Sequence, residues 1–112
     1  MIDQYLLIWV MAVHFFADFT CQPHYLAINK SSNVWALTAH IAIYATLLYL
    51  LLIPTGLGLT FVLANAILHW LTDFVSSKFT SKFYKAGRIK AFWNIIALDQ
   101  FIHVAGLILL IK

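Results

Sequence analysis

Four apolar runs, residues 4–22, 34–53, 59–75 and 91–111, take up most of this 112-residue chain. A soluble domain of this size has too little interior to hide that much hydrocarbon. A hydrophobic fraction of 63% and a mean hydropathy of +0.90 point the same way. A helix needs ~20 residues to cross a bilayer. The runs therefore predict an all-α fold, a polytopic transmembrane bundle of four helices forming a single domain over residues 1–112.

The connections are marked by residues that break helices. Pro23 restricts the residue before it and ends the first helix near Gln22. Ser31-Ser32-Asn33 reads as a helix start, and Pro54 to Gly58 reads as a tight connection. Residues 76–90 carry Lys78, Lys82, Lys85, Arg88 and Lys90. This stretch is expected to be a basic interfacial loop, either a plain loop that holds orientation or, with Phe79 and Phe83 four apart, partly a short amphipathic helix in the interface. Lys112 reads as a terminal anchor. No basic stretch precedes the first run, so that run is expected to stay in the protein rather than be cleaved as a signal. The loops 22–34 and 76–90 hold six of the seven Lys and Arg residues. Basic loops favour the cytoplasmic side, which puts both termini outside. The net charge of +3 is therefore about orientation, and no nucleic-acid partner is expected. Trp9, Trp35, Trp70 and Trp93 fit interfacial or packing roles. The lone Cys21 excludes an intrachain disulfide and a CxxC zinc pattern. Gly56, Gly58 and Gly106 form no GxxxG repeat, although nothing excludes a homo-oligomer.

Against this apolar background, four of the five histidines and three of the four acids fall inside the runs. Ionisable groups are costly in hydrocarbon and need a partner or a task there. His14 and Asp18, His69 and Asp73, and Asp99 and His103 are each four apart and share a helix face. His40 stands alone. Measured along the helices at 1.5 Å per residue, all seven fall in one layer, roughly 5–15 Å below the basic interface. Imidazole and carboxylate suit zinc and other divalent transition metals. His14, Asp18, His40, His69, Asp73, Asp99 and His103 are the candidate ligands, for one or two ions, with a carboxylate free to bridge. Gln22, Asn65 and Gln100 are expected to orient them through hydrogen bonds. Asp18, Asp73 and Asp99 are the candidate catalytic carboxylates, since a metal-bound water is acidified and an aspartate can take its proton. Lys78, Lys82, Lys85, Arg88 and Lys90 would hold a phosphate or an anionic lipid headgroup.

The pattern His14-x-x-x-Asp18-Phe19-x-x-Gln22, His40, Asn65-x-x-x-His69-x-x-x-Asp73, Lys78 and Asp99-Gln100-x-x-His103 resembles a bacterial and phage family of small membrane proteins of unknown function. The resemblance covers almost the whole chain and implies a bacterial inner-membrane protein with a polar site of this kind. More distantly, the chain is similar to the membrane-bound metal-dependent hydrolases, although it contains no His-Arg-Gly or Thr-His-Ser element. The expected function is intramembrane metal binding, with hydrolysis of a phosphate-containing lipid or other amphipathic substrate if the site is catalytic. Two alternatives use the same residues. One is a structural or interaction effector with a hydrogen-bonded polar core, and the other is ion or proton transport.

Overall fold

A computed structural model describes residues 3–111, with Ala27 described by its backbone alone. Lys112, the expected anchor, lies outside the described residues. Asp3 caps helix α1 (Gln4–Phe15) by accepting from the Tyr5 amide at 2.7 Å. The chain then widens into one π-turn, Phe16–Thr20. Past Pro23 comes the short α2 (His24–Asn29). Asn33 caps α3 (Val34–Leu52) by accepting from the amides of Trp35 and Ala36. A 3-10 turn, Ile53–Thr55, and Gly56 at φ 78° reverse the chain into α4 (Leu59–Lys85). Gly87, at φ 72°, makes the turn into α5 (Ile89–Leu110).

Among the described residues, three segments are long and apolar enough to cross a membrane: Val34–Thr55, Leu59–Lys85 and Ile89–Leu110. The expectation of four spans is thereby corrected to five α-helices, three of them spanning. The apolar helix of the first run covers only Gln4–Thr20, 17 residues, which reach about 25 Å against a hydrocarbon core of about 30 Å. The run looked longer because Cys21 and Gln22 were counted into it. Instead they fall in the bend before Pro23. The expected basic loop 76–90 also takes another form. Residues 76–85 contain no Pro or Gly, so α4 continues through Lys85 and only Ala86–Arg88 are left to turn.

The molecule is polar inside and apolar outside, as an integral membrane protein should be. Leu50, Leu63, Ile67, Leu71, Leu98, Phe101 and Leu109 are exposed. Among the described residues nine polar or ionisable ones are buried, including His14, Asp18, His40, His69, Asp73, Asp99 and His103. The turn end of the bundle is closed by an apolar cluster of Val10, Val13, Tyr44, Leu48, Leu52, Val62, Leu107 and Ile111. This cluster fixes α1 antiparallel to α3, with its start beside the 53–58 turn and its π-turn toward the basic end. α4 packs most extensively on α5 and next on α3. Gly106 belongs to the α4–α5 contact, where an added Cβ would lie 3.3 Å from the Leu68 side chain.

Candidate metal centre

All seven candidate ligands meet in one buried layer of the bundle. α1 and its π-turn supply His14 and Asp18, α3 supplies His40, α4 supplies His69 and Asp73, and α5 supplies Asp99 and His103. Four of them close a circuit. His40 Nε2 lies 3.1 Å from Asp18 Oδ1 and 3.3 Å from Asp73 Oδ2. His69 faces the same two oxygens, with Nε2 3.2 Å from Asp18 and Nδ1 3.4 Å from Asp73. Despite these distances, His40 Nε2, both His69 nitrogens and Asp73 Oδ2 have no aligned hydrogen-bond partner among the described residues. Buried polar atoms are rarely left so. One ion bonds a single nitrogen of each imidazole, and with one ligand atom taken from each residue the four groups lie within 4.8 Å of one another. Asp18, His40, His69 and Asp73 are thus capable of chelating a divalent ion.

A second group shares one member with the first. His103 Nε2 lies 3.1 Å from Asp73 Oδ1 and 3.0 Å from Asp99 Oδ2. Asp73, Asp99 and His103 can also chelate an ion. Asp73 faces both groups, one oxygen to each. The rings of His69 and His103 stack at 3.9 Å between centroids.

His14 takes part differently from the other histidines. Gln100 Nε2 donates to Asp18 Oδ2 at 3.0 Å and to Asp99 Oδ2 at 3.1 Å. Carboxylates only accept, so the amide orientation is fixed and Gln100 Oε1 must accept from His14 Nε2, 3.1 Å away. His14 Nδ1 is then an acceptor, and the Tyr44 hydroxyl donates to it at 2.7 Å. Both His14 nitrogens are occupied. The His14–Asp18 pair is 4.0 Å apart because the π-turn intervenes, so Gln100 rather than direct contact joins them. A hydrogen-bonded network therefore surrounds the circuit. Tyr44→Phe would leave His14 Nδ1 without its donor in a buried site. A loss of about 1–3 kcal/mol of stability is expected, with the circuit itself untouched. Thermal unfolding in detergent, together with metal content, checks both halves of that statement.

The other sequence candidates are placed as follows. Gln22 lines the cleft beside the carboxylates, its Oε1 buried without a hydrogen bond. Asn65 donates to the Phe61 carbonyl of its own helix. Lys78, Lys82 and Lys85, with Ser31, Ser32 and Ser81, line a recess of about 270 Å³ at the basic end. Lys78 also sits 3.9 Å over the Phe74 ring. Arg88 lies over Phe83, 5.2 Å from the centroid, and Lys90 is exposed.

Three contributors were not singled out from the sequence. They are Tyr44, Ser76, which donates to Asp99 Oδ1 at 2.5 Å, and Lys30, whose Nζ is 3.5 Å from Asp73 Oδ2. Tyr44 carries a signal, since it lies one turn from His40 on the same helix face, whereas Ser76 and Lys30 are brought in by how the helices are set against each other. A cleft of about 230 Å³ connects the centre to the basic end, lined among others by Asp18, Gln22, Lys30, Asp73, Asp99 and Gln100.

Fold and site together define a small integral membrane protein with clustered, buried His and Asp residues able to hold metal. Residues 6–112 match the family described as a protein of unknown function (DUF3307), and the chain belongs to that family. No curated protein and no solved structure matches it.

Proposed function

We propose that the chain is a membrane metalloenzyme that hydrolyses a phosphoester of an amphipathic substrate. The observation that carries this reading is the circuit of Asp18, His40, His69 and Asp73, whose buried polar atoms stand 3.1–3.4 Å apart and lack aligned hydrogen bonds. Asp18, His40, His69 and Asp73 would hold a divalent transition ion, zinc best, through one nitrogen of each histidine, and Asp73, Asp99 and His103 would hold a second. When bound, the ion acidifies a coordinated water and polarises a phosphoryl oxygen. The chain's own residues do the rest. Gln100 holds Asp18 and Asp99 in place. Lys30, in the cleft wall beside Asp73, meets the anionic oxygens of the substrate. Asp99 takes a proton from the attacking water as its oxygen bonds to phosphorus. It returns the proton to the alcohol oxygen as the other P–O bond breaks.

The test is direct. Protein purified in detergent without chelator is expected to contain one or two transition-metal ions per chain by elemental analysis. Folded protein with none would remove the metalloenzyme reading. The hydrogen-bonded network through Gln100 and Tyr44 favours a second reading, in which the polar cluster only locks the helices together. On that reading His69→Gln leaves both folding and function intact.

The basic end of the bundle is proposed to face the cytoplasm and anionic lipid. Neutral replacements at Lys82, Lys85 and Arg88 should weaken the preference for anionic over zwitterionic lipid, by about 1 kcal/mol per residue. An unchanged preference in reconstituted vesicles would count against that role.

A further inference from the structure

A groove of about 360 Å³ runs along the outer face of the bundle between α4 and α5, lined by Leu71, Val75, Phe79, Leu98 and Ile102 among others. Its volume is in the range of small-molecule sites. Its wall includes Ser76 and Asp99, and the same two residues line the polar cleft that leads to the carboxylates. The hydrogen-bonded Ser76–Asp99 pair is thus the partition between an apolar groove open to lipid and the candidate metal centre. Asp99 is the least buried carboxylate of the centre, its side chain 11% exposed against 6% for Asp18 and 3% for Asp73. A carboxylate edge beside bilayer hydrocarbon is costly and calls for a reason.

We infer that this groove holds an acyl chain of a glycerophospholipid whose polar end turns inward at Ser76 and Asp99, so that substrate reaches the centre sideways from the bilayer. The inference rests on the reading of the centre as a phosphoester hydrolase. The direction of the groove fits. Leu71 and Ile102 lie deeper than Ser76 and Asp99, measured from the basic end, as the chain of a lipid in that leaflet lies deeper than its head. The lysine recess of Lys78, Lys82 and Lys85 is a separate feature, shared with Ser31 and Ser32 of the α2–α3 connection, and has no lining residue in common with the groove. The structure also supplies its own control. A recess of about 330 Å³ on α3, lined by Ala42, Ile43, Thr46 and Leu47, is similarly apolar and contains no ionisable residue.

The experiment uses the full chain in vesicles of phosphatidylglycerol and phosphatidylcholine in equal parts. A trace of phosphatidylglycerol carries a photoactivatable diazirine in its acyl chain. Cross-links mapped by mass spectrometry are expected to favour Val75, Leu98 and Ile102 over Ile43 and Leu47 several-fold. A headless diazirine alkane is expected to label the two surfaces alike. Leu98→Trp, which fills the groove, should remove the excess, whereas Ile43→Trp should not. Equal labelling of both surfaces by the phospholipid, or the same excess with the alkane, overturns the inference. The wild-type comparison needs no variant to fold. Repeating it on the His69→Ala, Asp73→Ala double variant separates this idea from the metal reading. Groove labelling that persists in the metal-free double variant shows that the lipid site does not depend on the ion, whereas wild-type protein that folds without metal fells the hydrolase and leaves the lipid site standing.

Discussion

Replacing His69 and Asp73 together with alanine is expected to strip most of the transition metal from the purified protein. The two side chains supply three of the polar atoms in the circuit, His69 Nε2 and Nδ1 and Asp73 Oδ2, all without an aligned hydrogen bond. Asp73 is also the one residue common to both metal-capable groups, so its loss empties the second group as well. What remains, Asp18 with His40 on one side and Asp99 with His103 on the other, is two ligands at each position. That is fewer than the three protein ligands a catalytic zinc keeps. Single changes should retain part of the metal, because His69→Ala leaves Asp73, Asp99 and His103 complete. Elemental analysis of folded protein, with folding checked by its helical signal, reads the outcome. A double variant with the full metal content of the parent would place the ion elsewhere and end the case for the circuit.

Asp99→Asn is expected to lower phosphoester turnover by roughly 10²- to 10⁴-fold, the usual contribution of a general acid–base group. The substitution keeps the size of the side chain, and its oxygen can still accept from Ser76. The loss should fall on kcat rather than KM, since the proton is moved in the reaction and not in binding. The ion at Asp18, His40, His69 and Asp73 should stay, because Asp99 is not in that group. The readout is phosphate-containing product released from phosphatidylglycerol vesicles, compared per mole of bound metal. Full turnover by this variant would assign the proton to another carboxylate.

Much of the centre was legible in the sequence because helical spacing carries over to space. Residues four apart shared a face, and equal depth on separate helices brought His40 to the three pairs although it had no partner of its own. What could not be read depended on departures from a plain helix or on how two helices are set against each other. The π-turn at Phe16–Thr20 leaves no mark in a pattern of apolar residues, yet it separates His14 from Asp18 and hands their connection to Gln100. The bend at Cys21 and Gln22 ahead of Pro23 ends the first segment at Thr20, which is why four apolar runs give only three spans among the described residues. The Ser76–Asp99 contact depends on the register of α4 against α5, and Lys30 reaches Asp73 only because α2 folds back beneath α3. For the basic stretch, charge suggests a loop and the Phe79–Phe83 spacing a short separate helix; with no Pro or Gly in residues 76–86, α4 instead runs on through Lys85.

The unequal lengths of the helices give the protein two different heights in the bilayer. α4, at 27 residues, is about 40 Å long, whereas the Gln4–Thr20 segment reaches about 25 Å. The last turns of α4 carry Lys78, Lys82 and Lys85 and suit the headgroup region, so it is the short segment that asks the membrane to thin, at fractions of a kcal/mol per Å of misfit. The pinch falls where the short segment stops, beside Phe19 and Gln22 at the mouth of the polar cleft. Thinning there would bring headgroups and water toward Asp18, and the protein would shorten the journey to its own centre by deforming the sheet of lipid around it.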